Sequence, residues 1–214
     1  MVEPPRRLAG LAMFPLGQVL LPTTGMELHV FEPRYRQLVV DCLSADRDPP
    51  EFGTVLIERG SEVGGGDQRT STGVVAEMRQ VQALEGGRYA LLAVGARRVR
   101  VAEWLEDDPY PRARVEEWED SDIGDPTLSA LLKATRRRAE GLRQLMQRTD
   151  GAPALGPLVS DDAPEVAAYQ IAAQVPLGPS DRLALLTAPT VRERFARLDR
   201  ALEDLESVLR FGLT

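Results

Sequence analysis

The chain is poor in the residues that most often do chemistry. Its 214 residues hold one cysteine, Cys42, one histidine, His29, one lysine, Lys133, and no asparagine. One cysteine excludes an intramolecular disulfide framework. One histidine leaves a single side chain able to act as a base near neutral pH, so a Ser-His-Asp triad would have to be built on His29. That residue sits inside the strand-like run L-H-V-F (28–31), opposite in direction to Leu28 and Val30, where a strand or interface histidine is expected. A Ser-Lys dyad would need Lys133, which lies in an arginine-rich stretch with no serine motif. One His and one Cys thirteen residues apart cannot supply the spaced clusters of a zinc site. No metal and no cofactor are expected, and no catalytic residue is assigned.

Other absences narrow the class further. No stretch approaches the ~18 apolar residues of a membrane helix, and M-V-E-P-P-R-R-L-A-G has no apolar core of a secretion signal, so a cytoplasmic protein is expected. A net charge of −7 argues against bulk attraction to nucleic acid or anionic membrane. The near-absence of lysine and asparagine fits a GC-rich genome. Hydrophobic content of 43% and charged content of 28% leave an ordinary globular chain with enough apolar surface for one or two cores.

Pattern divides the chain. Up to about residue 118 it is β-rich: Leu11–Leu16, Val19–Leu21, Leu28–Phe31, F-G-T-V-L-I-E (52–58), a long strand over Gly73–Leu84, then 88–94, 97–104 and 112–118. Glu85-Gly86-Gly87 reads as a hairpin turn, and the set suggests a curled, barrel-like sheet. One helix interrupts it. Phe31 closes a strand, Glu32 occupies the N-cap and Pro33 the first helical position, where a missing N–H costs nothing. Tyr35, Leu38, Val39, Cys42 and Leu43 then form one apolar face to about Ala45, which makes Cys42 a small core residue. Residues 123–214 read as helical. Helices are expected from Asp125 (N-cap) to Arg148, over Ala163–Val175, from Ser180, and from Thr187 or Pro189 with Phe195, Leu198, Leu202, Leu205 and Leu209 on one face.

Three charged or glycine-rich stretches invite functional readings. Residues 103–125 carry ten carboxylates but lack the periodicity and central glycine of a calcium loop, so a solvated acidic face is expected. Arg136-Arg137-Arg138 cannot all face one way, and pairing with that acidic stretch is the simplest account. The loop E-R-G-S-E-V-G-G-G-D (58–67) has no phosphate-cradle spacing and reads as a mobile loop or a lip over a groove.

F-P-L-G-Q-V-L-L-P (14–22), L-H-V-F-E-P-R-Y-R (28–36), F-G-T-V-L-I-E (52–58) and I-A-A-Q-V-P-L-G-P-S-D-R-L-A-L-L (171–186), in this order, resemble the Lon N-terminal (substrate-binding) domain family over nearly the whole chain. Two positions depart from its pattern: Thr23 stands where glycine is common, and Glu27 where a second proline is frequent. The resemblance implies an α+β fold, a PUA-like β-barrel subdomain (1–122) followed by an α-helical subdomain (123–214). It implies capture of protein segments and withholds catalysis, since these residues contain no Walker A sequence and no protease segment. A stand-alone, non-enzymatic protein is therefore expected, binding unfolded or partner protein segments in a groove between barrel and helices, aided by an exposed strand edge, as a monomer or weak dimer. Arg34, Tyr35, Gly64, Gly65 and Gly66 are its expected contact residues; Phe31, Glu32 and Pro33 form the structural motif. Architectural roles for Glu32 to Tyr35 stand beside that assignment. RNA binding through a PUA-like barrel is the alternative, disfavoured by the charge. An enzyme using carboxylates of the 106–120 stretch is a third.

Overall fold

A computed structural model describes residues 6–59, 68–148 and 156–212. The chain forms two compact units, Met1–Glu119 and Asp120–Thr214.

The first unit contains β1 (Arg7–Ala12), β2 (Gly25–Val30), α1 (Pro33–Ser44), β3 (Glu51–Arg59), β4 (Gln68–Leu84), β5 (Arg88–Leu105) and β6 (Arg112–Glu117). The strands form one antiparallel sheet in the order β1-β6-β5-β4-β3. The sheet closes on itself just after β1. Residues 13–16 run parallel to β3 through the bridges Met13–Gly53 and Leu16–Leu56. Phe14 N–H donates to Gly53 O (2.7 Å), Leu16 N–H to Val55 O (3.0 Å) and Ile57 N–H to Leu16 O (2.9 Å). Closure buries Leu8, Leu11, Met13, Val55, Val75, Val99, Ala113 and Val115. It also explains Gly53, where any Cβ would overlap the Met13 sulfur.

β2 stands outside that order. It pairs antiparallel with residues 89–94 of β5, on the edge opposite β4, while β6 takes the remainder of that edge through residues 99–105. Between the two, the chain at Leu21–Thr24 crosses β5 at Gly95. Thr23 N–H donates to Gly95 O (2.7 Å), Gly95 N–H to Thr24 O (3.0 Å), and a side chain on Gly95 would strike Leu21 O. A second core joins this side of the sheet to α1 through Phe14, Leu20, Val30, Tyr35, Leu38, Val39, Phe52, Met78 and Leu91.

Several boundaries differ from the sequence reading. The first strand is Arg7–Ala12 rather than 11–16, because Pro15 has no N–H and leaves residues 13–16 only isolated bridges. Val19–Leu21 is buried but not a strand. Residues 88–94 and 97–104 are one strand, since Gly95 makes room for a crossing chain without ending β5. Phe31 follows β2 instead of closing it. Leu43 is exposed; eight residues at about 100° each place it about 80° round α1 from Tyr35.

The second unit holds α2 (Leu128–Met146), α3 (Pro164–Ala173), α4 (Pro179–Leu186) and α5 (Val191–Gly212). Leu132, Ala139, Leu142, Ile171, Leu185, Phe195, Leu198 and Leu202 form its buried interior. Asp125 does not cap α2 directly. Its carboxylate accepts the Thr127 N–H (2.8 Å) and hydroxyl (2.6 Å), so the helix starts two residues later than expected. These bonds, with the Arg192 guanidinium, hold its pKa down at about 2. Gly178, not Ser180, is the N-cap of α4, with Pro179 at the first position. The last helix begins at Val191, where Asp122 accepts the N–H groups of Val191 and Arg192 and Thr190 Oγ1 accepts that of Glu193. Among the described residues no helix is long and apolar enough to cross a membrane.

Candidate functional site, a groove along the free edge of β2

The F-E-P-R-Y segment shapes one end of the site. Pro33 opens α1, and Arg36 N–H donates the first helical bond to Glu32 O (2.9 Å). The Glu32 side chain caps no N–H; its carboxylate instead accepts Arg34 Nε–H at 3.2 Å. The Arg34 guanidinium lies 4.5 Å over the Tyr35 ring, and that ring stacks on Phe14 with centroids 4.1 Å apart. Phe31, at the strand-to-helix junction, leaves 54% of its surface in solvent.

A groove of about 240 Å³ runs beside these residues, lined by the unbroken stretch Met26 to Glu32 on one side. Seven consecutive lining residues mean that the groove follows the strand's edge instead of entering one face of it. The opposite wall is Phe14, Leu16 and Gln18, and Tyr35 lines the groove with them. The topology explains the opening. β2 is bonded only to β5, residues 14–16 are bonded to β3, and among the described residues no strand fills the space between. Phe14, Leu16 and Tyr35 are buried, whereas Gln18, Glu27, His29 and Phe31 are exposed at the rim. Such an edge presents backbone donors and acceptors next to an apolar trough.

Of the expected contact residues, Tyr35 lines this groove and Arg34 stands beside it through its bond to Glu32. Gly64, Gly65 and Gly66 lie outside the described residues. The sequence reading assigned no contact role to the wall at Phe14, Leu16 and Gln18, and noted Glu27 only as a departure from the family pattern. A signal existed in M-E-L-H-V, where the exposed Glu27 and His29 alternate with the half-buried Met26 and Leu28. That is the pattern of a strand with one wet face.

Other candidate groups have structural work. Cys42 is buried, its Sγ donates to Glu51 O (3.3 Å), and burial first, then neighbouring Asp41, pushes its thiol pKa up to about 12. A thiol so raised is a poor nucleophile at neutral pH. Tyr110 Oη donates to Asp41 Oδ2 at 2.7 Å, and burial with that bond raises its pKa. Two members of the arginine run have partners within their own unit. Arg136 binds Ser160 and Asp162, and Arg138 binds Glu203, because α2 turns those positions toward other parts of its own unit. The acidic stretch is not simply a solvated face. Asp120 holds the fully buried Arg194 through bonds of 2.6 and 2.8 Å, and Asp122 caps α5. Among the described residues no group of three or more His, Cys, Asp or Glu side chains could hold a metal ion.

Comparison with known proteins agrees with this architecture. The family model for the ATP-dependent protease La (LON) substrate-binding domain matches residues 10–204. The chain belongs to this family. It is 28% identical over 202 residues to Lon protease 2 of Herpetosiphon aurantiacus, covering 93% of this chain and 24% of that protein. It is 30% identical over 124 residues to the Lon protease of Syntrophomonas wolfei, covering 58% of this chain and 15% of that one. The chain thus spans a quarter or less of these relatives. The crystal structure of a Lon N-terminal domain protein from Xanthomonas campestris shares 26% identity with a TM-score of 0.62, over 89% of this chain and 97% of that one. The N-terminal domain of a Mycobacterium avium complex Lon protease shares the fold (TM-score 0.65, 18% identity, 91% and 98% covered). The α+β arrangement of a mostly antiparallel sheet unit and a helical unit is therefore that of Lon N-terminal domains.

Proposed function

We propose that this Lon substrate-binding-family chain binds polypeptide segments in extended form, without an enzymatic step of its own, along the free edge of β2. The observation that carries the reading is the groove itself: an unpaired strand edge beside a trough lined by Phe14, Leu16 and Tyr35. An extended segment laid there satisfies its backbone groups against β2 and buries alternate side chains in the trough. The family description, a substrate-binding domain, supports the class of ligand, and the bacterial Lon relatives support action in the cytoplasm. Folded proteins present few free segments of this kind, so unfolded or partly unfolded chains are the favoured partners.

The test uses fluorescent peptides from a reduced, unfolded client protein, titrated with the purified chain. Binding is expected, with loss when alternate peptide nitrogens are methylated and weakening in Phe31→Ser, which removes an exposed rim ring without opening the core. No binding, or binding indifferent to N-methylation, overturns the reading.

A further inference from the structure

The groove has two chemically different sides, and this decides which segments it takes. In β2 the side chains of Met26, Leu28 and Val30 point to the core that contains Phe14 and Tyr35. Glu27 and His29 point the other way and are exposed. On this outer face Glu27 lies opposite Leu92 and His29 opposite Ala90, and β4 places Gln80 and Gln82 beyond them. No arginine or lysine sits in that set, and Arg79, at the β4 bulge beside Gln80, is paired with Glu77. Arg88, on the same face of β5, is four residues and so about 13 Å along from Leu92, and its Nε–H is bonded to Glu85 O (3.0 Å). Glu32, the other carboxylate of the groove, is already paired with Arg34 (3.2 Å). Among the described residues, Glu27 is therefore the one carboxylate of the groove that forms no ion pair.

Resting on the edge-binding reading, we infer that the groove selects segments in which apolar residues alternate with basic ones. A strand added at the edge of β2 must keep the period-two alternation of the sheet. Residues in register with Met26 and Leu28 point into the trough at Phe14, Leu16 and Tyr35 and are apolar. Residues in register with Glu27 stand on the outer face with Cβ atoms about 5 Å from its own, close enough for an ion pair with Lys or Arg and for repulsion of Asp or Glu. An acidic rim on one side and an apolar floor on the other thus read both faces of one strand. A segment of uniform polarity satisfies only one of them.

Three labelled octapeptides test this, each with valine at every second position and arginine, glutamine or glutamate between. The arginine peptide is expected to bind about fivefold more tightly than the glutamine one, and the glutamate peptide weakest. Glu27→Arg is expected to invert the order. Asp204→Arg, an exposed site on α5 that changes the net charge equally, is expected to keep it. The inversion should fade in ~1 M salt, where screening is short. Equal affinities in the wild type, or inversion by both variants, overturn the selectivity while leaving edge binding intact. Failure of all three peptides to bind overturns edge binding itself.

Discussion

Phe14 and Tyr35 stack at a centroid distance of 4.1 Å and an interplanar angle of 19°. One ring belongs to the segment that closes the sheet against β3, the other to the first turn of α1. The contact therefore joins barrel closure to the strand-to-helix junction, and both rings line the groove. Tyr35→Ala removes a side chain only 3% exposed. It is expected to cost about 3 kcal/mol of stability, measured by urea unfolding, and to weaken peptide binding in the fraction that stays folded.

Thr23 has φ of +62°, in the left-handed region that a β-branched residue rarely occupies. The crossing over β5 holds it there through the Thr23 N–H bond to Gly95 and the Thr24 hydroxyl bond to Leu21 O (2.8 Å). Thr23→Gly should relieve the strain and stabilise the first unit by about 1 kcal/mol, read as a higher urea midpoint. Thr23→Val, which keeps the branching, should give no such gain.

Arg194 is fully buried, paired with Asp120, donating to Glu165 O at 3.3 Å and lying 4.1 Å over the Tyr169 ring. Arg194→Met takes the buried guanidinium away from the nearly buried Asp120 carboxylate, an expected loss of about 3–5 kcal/mol. The double change with Asp120→Leu should recover much of that loss, because no charge is left uncompensated. A double-mutant cycle on thermal unfolding checks both figures.

Cys42 provides a pH test. Its pKa is raised to about 12 by burial, so the folded state keeps the proton that the unfolded thiol releases near its ordinary value. Its contribution to stability is full below about pH 9 and falls as pH rises from there towards 12. At pH 8 a thiol reagent should modify the folded chain far more slowly than the chain in urea. Equal rates would show that the thiol is exposed.

Much of the fold was readable in local chemistry. Pro33 after Glu32 and the spacing of Tyr35, Leu38, Val39 and Cys42 defined α1, whose N-terminus and buried face the structure reproduces. Glu85-Gly86-Gly87 marked the β4–β5 hairpin. What local patterns missed depends on contacts distant in sequence. Residues 13–16 look like a strand, but Pro15 confines them to bridges with β3, forty residues away. Gly95 looks like a strand end until the crossing of Leu21 over it is seen. The groove was the least legible feature, because it is a gap between two segments that each pair elsewhere. Tyr35 was singled out for its place in a motif; Phe14, Leu16 and Gln18 carry no motif that points at a trough.

Backbone amide hydrogen exchange with and without an unfolded client peptide tests the central claim most directly. Binding at the edge of β2 should slow exchange within Gly25–Val30, concentrated at alternate amides that face the groove, and leave β6 and α5 unchanged. Saturating peptide that protects other strands or helices while β2 exchanges at its free rate would contradict the account.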